Sequence, residues 1–426
     1  MLDRRFVVEH ADQVRKNIAN RQMDVPFDRF LELEEERKVL QQQVEEQRAQ
    51  MNELTKKSGL SVEERREQGQ VLKKSLKDLE ERLAPLASEA ESIFMRIPNL
   101  TDDASPVGEE ADSETIGYGA AEKQEFDFTA QDHIQLMENA GMLNLEAAAK
   151  VSGSGFYYLV GDGALLELAM MRFALDHVMK SGFTPVLTPD LARDKLMEGT
   201  GFVPRGNESN TYHLEDMDLN LIATSEITLI GMFADEILDA SNFPLKVVGQ
   251  SHCFRSERAH GSATRGIYRV HQFSKTEMVV VCLPEQAEEI HMEMRKLEQE
   301  IFDALGIPYR VLEIATGDLG AAAYRKFDLE AWMPGRQGGS WGEVTSTSNC
   351  TDFQARRLKI RYRDEDGKPK YAATLNGTAI SICRAMIALV ENHQQADGSI
   401  KIPEVLQPYM NGKTEIKPLK EKGQAA

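Results

Sequence analysis

The sequence predicts an α+β protein in two parts, a long antiparallel helical hairpin followed by a larger domain built on an antiparallel sheet flanked by helices. Three observations carry this. Residues 27–97 repeat apolar side chains at heptad spacing, with neither Gly nor Pro between Phe27 and Lys57. Residues 99–125 are polar, acidic and loop-like, which marks a change of composition and a boundary. Beyond residue 150, strand-like and helix-like segments alternate without the regular βαβ repeat of a parallel sheet. The expected divisions are residues 1–105, with the hairpin at about 27–97, then 115–410, then a flexible tail at 411–426.

Taking the chain in order, residues 1–26 suggest a short strand and a helix. In the first long helix Leu33, Leu40, Val44, Met51 and Leu54 fall on heptad positions, and SGLS at 58–61 breaks the run. In the second, Leu72, Leu76, Leu79, Leu83, Leu86, Ala90 and Ile93 alternate strictly by four and three, with a kink expected at Pro85 and an end at Pro98. Each helix would be about 45 Å long at 1.5 Å per residue. Charge along this hairpin is uneven. Its tip half carries Lys56, Lys57, Arg65, Arg66, Lys73, Lys74 and Lys77 against Glu63, Glu64 and Glu67, whereas its base holds Glu32, Glu34, Glu35 and Glu36. A solvated face explains such a cluster, and so does an arm that meets RNA phosphates.

Composition narrows the function classes. The 426 residues carry a formal charge of −19, with 41% hydrophobic and 28% charged residues, as in an ordinary globular protein. No apolar run reaches the ~20 residues of a membrane span, and the N-terminal stretch lacks a secretory core, so a cytoplasmic location is expected. The four cysteines, Cys253, Cys282, Cys350 and Cys383, are widely separated, and the nine histidines show no HExxH spacing, so neither a disulfide framework nor zinc is expected. Two glycine patterns are decoys. Tyr158 stands where a dinucleotide fingerprint after Gly153 and Gly155 needs glycine, and Gln407 stands where a phosphate loop ending in GKT at Gly412 needs one.

The densest chemistry lies in Val247–Cys282, which reads as two strands joined by a polar loop at Arg258–Gly266. By alternation, Arg255 and Glu257 share one face of the first strand, and Arg269, His271, Phe273, Lys275 and Glu277 share one face of the second. Two arginines, two carboxylates and an aromatic ring on one sheet face make a poor core. A binding site and an amphipathic surface hairpin with ion pairs remain even alternatives on these residues alone.

FRSE, a loop, and then TRGIYRVHQFSKTEM resembles the second signature motif of the class II aminoacyl-tRNA synthetases, in the form of the seryl-tRNA synthetase family. GFTPVLTPDLARDKLMEGTGFVP resembles the first motif, with Pro189 in the segment that implies a homodimer. TLNGT and the helix containing Arg384 resemble the third, and the basic-tipped hairpin resembles that family's tRNA-binding N-terminal arm. The resemblance covers nearly the whole chain and implies a class II catalytic domain. It implies activation of L-serine by ATP with Mg²⁺ and transfer of serine to tRNA(Ser), and to tRNA(Sec) as well.

Carried onto this sequence, the resemblance implies that Arg255, Ser256, Glu257, Phe273, Glu343, Val344, Thr345, Ser346 and Arg384 bind ATP, with Arg255 and Arg384 catalytic. It implies that Thr224, Ser225, Glu226, Glu277, Asn376 and Thr378 bind serine, and that Glu343 with Ser346 ligates Mg²⁺. Lys56, Lys57, Arg65, Arg66, Lys73, Lys74 and Lys77 become the tRNA contacts. Unaided, Thr224 to Glu226 read as a helix cap, and Thr378 as an N-cap after NG at least as readily as a ligand contact. The spacing of Glu343 and Ser346 does not place them on one face of a regular strand, so a bulge or bend is required. The loop RAHGSATRG, with Arg258 and His260, Ser274 where an Asp is common, and TAISICR depart from the common bacterial pattern toward organellar-like variants. A ligase that loads serine onto a carrier and a non-catalytic RNA-binding homologue are the other classes compatible with the motifs. The intact arm opposes the first, and the full set of charged residues opposes the second.

Overall fold

The first helix begins where Asp3 caps it, accepting from the backbone N–H groups of Arg5 and Phe6, and it runs over Arg4–Glu9. A second follows at Ala11–Asn20. The expected strand at the N-terminus is therefore helical. Val7, Val14 and Ile18 recur at helical spacing and are buried, so packing and the cap outweigh the β-branched pair Val7–Val8. The computed structural model describes residues 1–56, 61–203, 210–257, 266–364 and 367–419. Lys57, Arg258 and His260 lie outside the described residues. The chain divides into two compact units, Met1–Leu100 and Thr101–Ala426.

In the first unit, helices Phe27–Lys56 and Val62–Phe94 form the long hairpin. Ser61 starts the second helix through a capping box, its hydroxyl accepting from Glu64 N–H at 3.2 Å while the Glu64 carboxylate accepts from Ser61 N–H at 2.9 Å. That helix passes through Pro85 as one element. The heptad seam is more deeply buried on the first long helix than on the second. Phe30, Leu33 and Val44 are buried, whereas Leu72, Leu76, Leu79, Leu83 and Leu86 are half-buried, because a two-helix hairpin covers its seam from one side. Phe30 stacks on Phe94 at 5.6 Å and on Phe27 at 6.1 Å. Phe30→Ala is expected to destabilise this unit by about 3–5 kcal/mol, read as a lowered thermal midpoint.

The second unit is built on an eight-stranded sheet. In chain order its strands are β1 (Glu114–Tyr118), β2 (Thr184–Leu187), β3 (Leu245–Phe254), β4 (Gln272–Cys282), β5 (Tyr309–Glu313), β6 (Arg325–Met333), β7 (Ser340–Asn349) and β8 (Ala373–Ser381). The spatial order is β1-β5-β6-β7-β8-β4-β3-β2, antiparallel throughout except for the parallel edge pair β2–β3. Pro185 sits in that edge strand, where its missing N–H costs no inner ladder bond. Helices Asp162–Met179, Ala287–Ala304 and Ile382–Asn392 supply Leu166, Met170, Met294, Ile301, Met386 and Leu389 to one large core, which also takes Met278 and Val280 from β4. The other face of β4 is divided. Val279 and Val281 pack on Leu229, Ile230 and Leu358, while Phe273, Lys275 and Glu277 border a cavity.

Two register shifts shape that cavity. Leu329 pairs with Thr345 but Glu330 pairs with Glu343, which leaves Val344 as an extra residue in β7. Thr276 pairs with Ile380 but Glu277 pairs with Thr378, which leaves Ala379 extra in β8. Within the segment expected to be a flexible tail, the described residues 411–419 are in part tied down. Glu415–Ile416 pairs with Ile400–Lys401, and Leu419 N–H donates to Asn139 C=O at 2.8 Å. Among the described residues no helix is long and apolar enough to cross a membrane.

Candidate active site

The cavity on the open face of β4, β7 and β8 has a volume of about 240 Å³. Its floor is a buried polar network. Lys275 Nζ lies 2.6 Å from Glu277 Oε2, and the Thr378 hydroxyl donates to the same oxygen at 3.1 Å. Thr378 is therefore a strand residue facing Glu277 and not a helix cap. The helix that follows starts at Ile382. Beside it, Glu226 Oε1 accepts from Gln354 Nε2 at 2.7 Å and from Asn376 Nδ2 at 3.0 Å. Burial, then the neighbouring Glu277 charge, push the Glu226 carboxyl up to about 7. Thr224 Oγ1 accepts from Glu226 N–H at 3.2 Å as the short helix Glu226–Gly231 begins, so this threonine both caps and borders the cavity.

The upper wall is cationic and aromatic. The Arg255 guanidinium lies 5.2 Å from the centre of the Phe273 ring. Glu257 adopts a left-handed backbone with φ 48°, and its carboxylate faces Arg269 at 3.5 Å. Asn210 holds that turn, its Oδ1 accepting from Glu257 N–H at 2.7 Å and from the Ser256 hydroxyl at 3.2 Å. Across the cavity Arg384 pairs with Glu343 at 2.9 Å and stacks on Tyr268, whose ring also carries Arg336 at 4.0 Å. Burial pushes the Glu343 carboxyl up, but Arg384 and Lys326 outweigh it and hold the group down at about 2, so it is ionised.

The single strand face expected for Arg255 and Glu257, and for Arg269 and His271, is not what forms. β3 ends at Phe254 and β4 starts at Gln272, so these residues sit in the irregular extension of the hairpin. The extension still delivers Arg255, Glu257 and Arg269 to the cavity. The bulge required for Glu343 and Ser346 is present at Val344, and both residues line the cavity with Val344 and Thr345. The Thr345 hydroxyl, however, donates to buried Glu298 at 3.0 Å. Two candidates lie outside the lining. Ser225 is fully buried, and Ser256 turns toward Asn210. Lys275, Tyr268, Phe202, Ser348 and Cys383 join the wall, and Gln354 supports it, none of them among the expected site residues. Lys275 is visible in the sequence on the strand face. Gln354 carries no such signal, because its partner Glu226 is 128 residues away.

An antiparallel sheet with flanking helices, holding an arginine, an aromatic ring and paired carboxylates over one polar floor, defines the core of a class II aminoacyl-tRNA synthetase. The tRNA synthetase class II core domain (G, H, P, S and T) matches residues 212–393, and the Seryl-tRNA synthetase N-terminal domain matches residues 1–101. The serine–tRNA ligase of Treponema denticola is 48% identical over 96% of this chain and 98% of its own length. That of Rubrobacter xylanophilus is 49% identical at the same coverage. Among solved structures, seryl-tRNA synthetase from Pyrococcus horikoshii complexed with ATP superposes with a TM-score of 0.91 at 39% identity, covering 99% of this chain and all of that one. The chain belongs to the seryl-tRNA synthetase family.

Proposed function

We infer that the protein is an ATP-dependent serine–tRNA ligase. It joins the carboxylate of L-serine to the α-phosphorus of ATP, releasing pyrophosphate, and then passes the seryl group to tRNA(Ser), releasing AMP. The observation that carries this is one cavity holding Arg255, Glu257 and Phe273 above Glu226, Glu277 and Thr378. Such a transfer asks for positioning and for charge on the phosphates more than for a general base. Arg255 meets the charge that develops at the α-phosphate, Phe273 stacks on the base, and Glu257 accepts from its amino group. Arg384 faces the terminal phosphates. Below, the carboxylates take the serine ammonium, and Glu277 with Thr378 takes its hydroxyl. A floor built to bond that hydroxyl rejects alanine, which would leave its polar atoms unpaired.

Glu343 is ionised and shares one wall with the Ser346 hydroxyl, and these two hard oxygen donors would hold a Mg²⁺ ion. When bound, the ion would offset charge on the triphosphate. A homodimer is supported by exposed apolar side chains on helix Asp162–Met179 and on β2, with Leu168 at 63% and Leu187 at 92% exposure. The basic tip of the hairpin supports binding to tRNA, tRNA(Sec) included, and a role in translation supports a cytoplasmic location. Serine-dependent exchange of pyrophosphate into ATP, with and without tRNA, tests the reading. A carrier ligase would exchange without charging tRNA, and a non-catalytic homologue would do neither.

The raised Glu226 carboxyl gives a pH signature. Below pH 7 it holds a proton and cannot pair an ammonium, so kcat/KM for serine is expected to rise as pH rises through about 7. Glu226→Gln should flatten that limb. The stability linkage has the opposite sense. The folded state binds the extra proton between the ordinary carboxyl value of 4.5 and about 7, so this group's contribution to stability falls as pH rises through that window.

A further inference from the structure

We propose that His271 is the positioning residue that aims Arg255 into the cavity, an inference that rests on the phosphate role given to Arg255 above. β3 stops at Phe254, and beyond it one backbone rung, between Arg255 and His271, continues the ladder while the His271 side chain takes the place of the other. Arg255 N–H donates to His271 C=O at 3.0 Å, and His271 Nδ1 lies 3.0 Å from Arg255 C=O. A carbonyl can only accept, so Nδ1 carries the proton and donates it. Tyr212 Oη, 2.9 Å from the same nitrogen, then serves as a second acceptor for that proton. The two Arg255–His271 bonds close a ring that holds both the N–H and the C=O of Arg255, leaving the side chain as the free part of the residue.

His271 is itself held from the other side. Its backbone N–H donates to Gly155 C=O at 2.9 Å, and the Phe156 ring packs on the imidazole at 5.2 Å between centres. Gly155 has φ +81°, and a Cβ there would stand 2.5 Å from His271 Cδ2, so glycine lets the chain lie flat on the ring. The segment around Gly155, Tyr212 and the two hairpin strands thus converge on one imidazole, and through it on the Arg255 backbone. The guanidinium then needs no reorganisation when charge develops at the phosphate, which is the condition for strong electrostatic stabilisation. His271 does not line the cavity, so its effect passes through Arg255.

The test is serine-dependent pyrophosphate exchange by the full-length protein carrying His271→Ala, His271→Asn, His271→Gln or Arg255→Ala, with thermal midpoints recorded for each. An asparagine amide can place an N–H near the position of Nδ1–H, whereas glutamine places it near Nε2. His271→Ala is expected to lower kcat/KM for ATP about 10- to 100-fold, the loss typical of a misplaced reacting group, while KM for serine stays near its wild-type value. His271→Asn should recover most of that loss and His271→Gln should not, although both remove the ring. Equal losses in the Asn and Gln variants would show that ring shape matters and not the bond, and would overturn the proposal. Wild-type exchange by His271→Ala beside an inactive Arg255→Ala would overturn it while leaving the function of Arg255 standing. Wild-type exchange by Arg255→Ala would remove the phosphate role and this inference together. If His271→Ala fails to fold, the Asn and Gln pair still decides.

Discussion

Arg255→Ala is expected to abolish serine-dependent pyrophosphate exchange in a protein that still folds. The guanidinium faces the cavity over Phe273, so its loss should spare the sheet. Removing one preorganised donor from a developing oxyanion costs about 3–4 kcal/mol, a factor of roughly 10²–10³ in rate. Arg255→Lys should recover little of this, because an ammonium cannot reproduce a planar fork stacked on an aromatic face. Exchange within a few fold of wild type, from a variant with an unchanged thermal midpoint, would take Arg255 out of the phosphate role.

Removal of the first unit, Met1–Leu100, should leave exchange intact and abolish tRNA charging. Every candidate residue for the chemistry lies after residue 220, and Thr101–Ala426 is a compact unit with its own core. A gentler version spares the fold. Lys73, Lys74 and Lys77 are exposed while Leu72, Leu76 and Leu79 form the half-buried seam, so charge reversal at the three lysines should leave the hairpin standing. The reversed protein should show a raised KM for tRNA and unchanged KM values for ATP and serine. Its salt dependence should be flattened by roughly 0.7–0.9 in log–log slope for every phosphate the arm no longer neutralises. A triple variant with unaltered tRNA affinity and slope would make this cluster an ordinary solvated face.

What the sequence discloses depends on the range of the interactions involved. The heptads of the long hairpin and the flanking-helix pattern of the sheet are local periodicities, and both are found in the structure. The need for a bulge between Glu343 and Ser346 follows from pleat geometry alone, and Val344 supplies it. Strand ends are less legible. Arg255 to Glu257 leave the ladder, because Asn210 and His271, distant in the chain, capture their backbone. At the N-terminus a β-branched pair suggests a strand, but it is a weaker signal than an Asp cap joined to helical spacing of buried residues. Ser225 and Ser256 enter the expected site by adjacency to their neighbours, and a side chain's direction out of a turn is not an adjacency property. The roles of the site residues come from the family resemblance. Charge and alternation by themselves leave a surface hairpin as an equal reading.

The extra residue at Val344 also acts as a phase shift in β7. Before it, a given side of the sheet is served by odd-numbered residues, as with Trp341 and Glu343. After it, the same side is served by even-numbered ones, as with Ser346 and Ser348. An acidic side chain from one phase and a hydroxyl from the other can then stand together, although an uninterrupted strand would put them on opposite sides. Excising one residue at this point would rejoin the two phases, and the strand would have to turn either Glu343 or Ser346 into the packed interior. Point substitutions at Val344 preserve the count and leave this arrangement in place. A length change of one residue cannot, so substitutions here are limited by the apolar core that buries Val344, and changes of length by the phase of the whole strand.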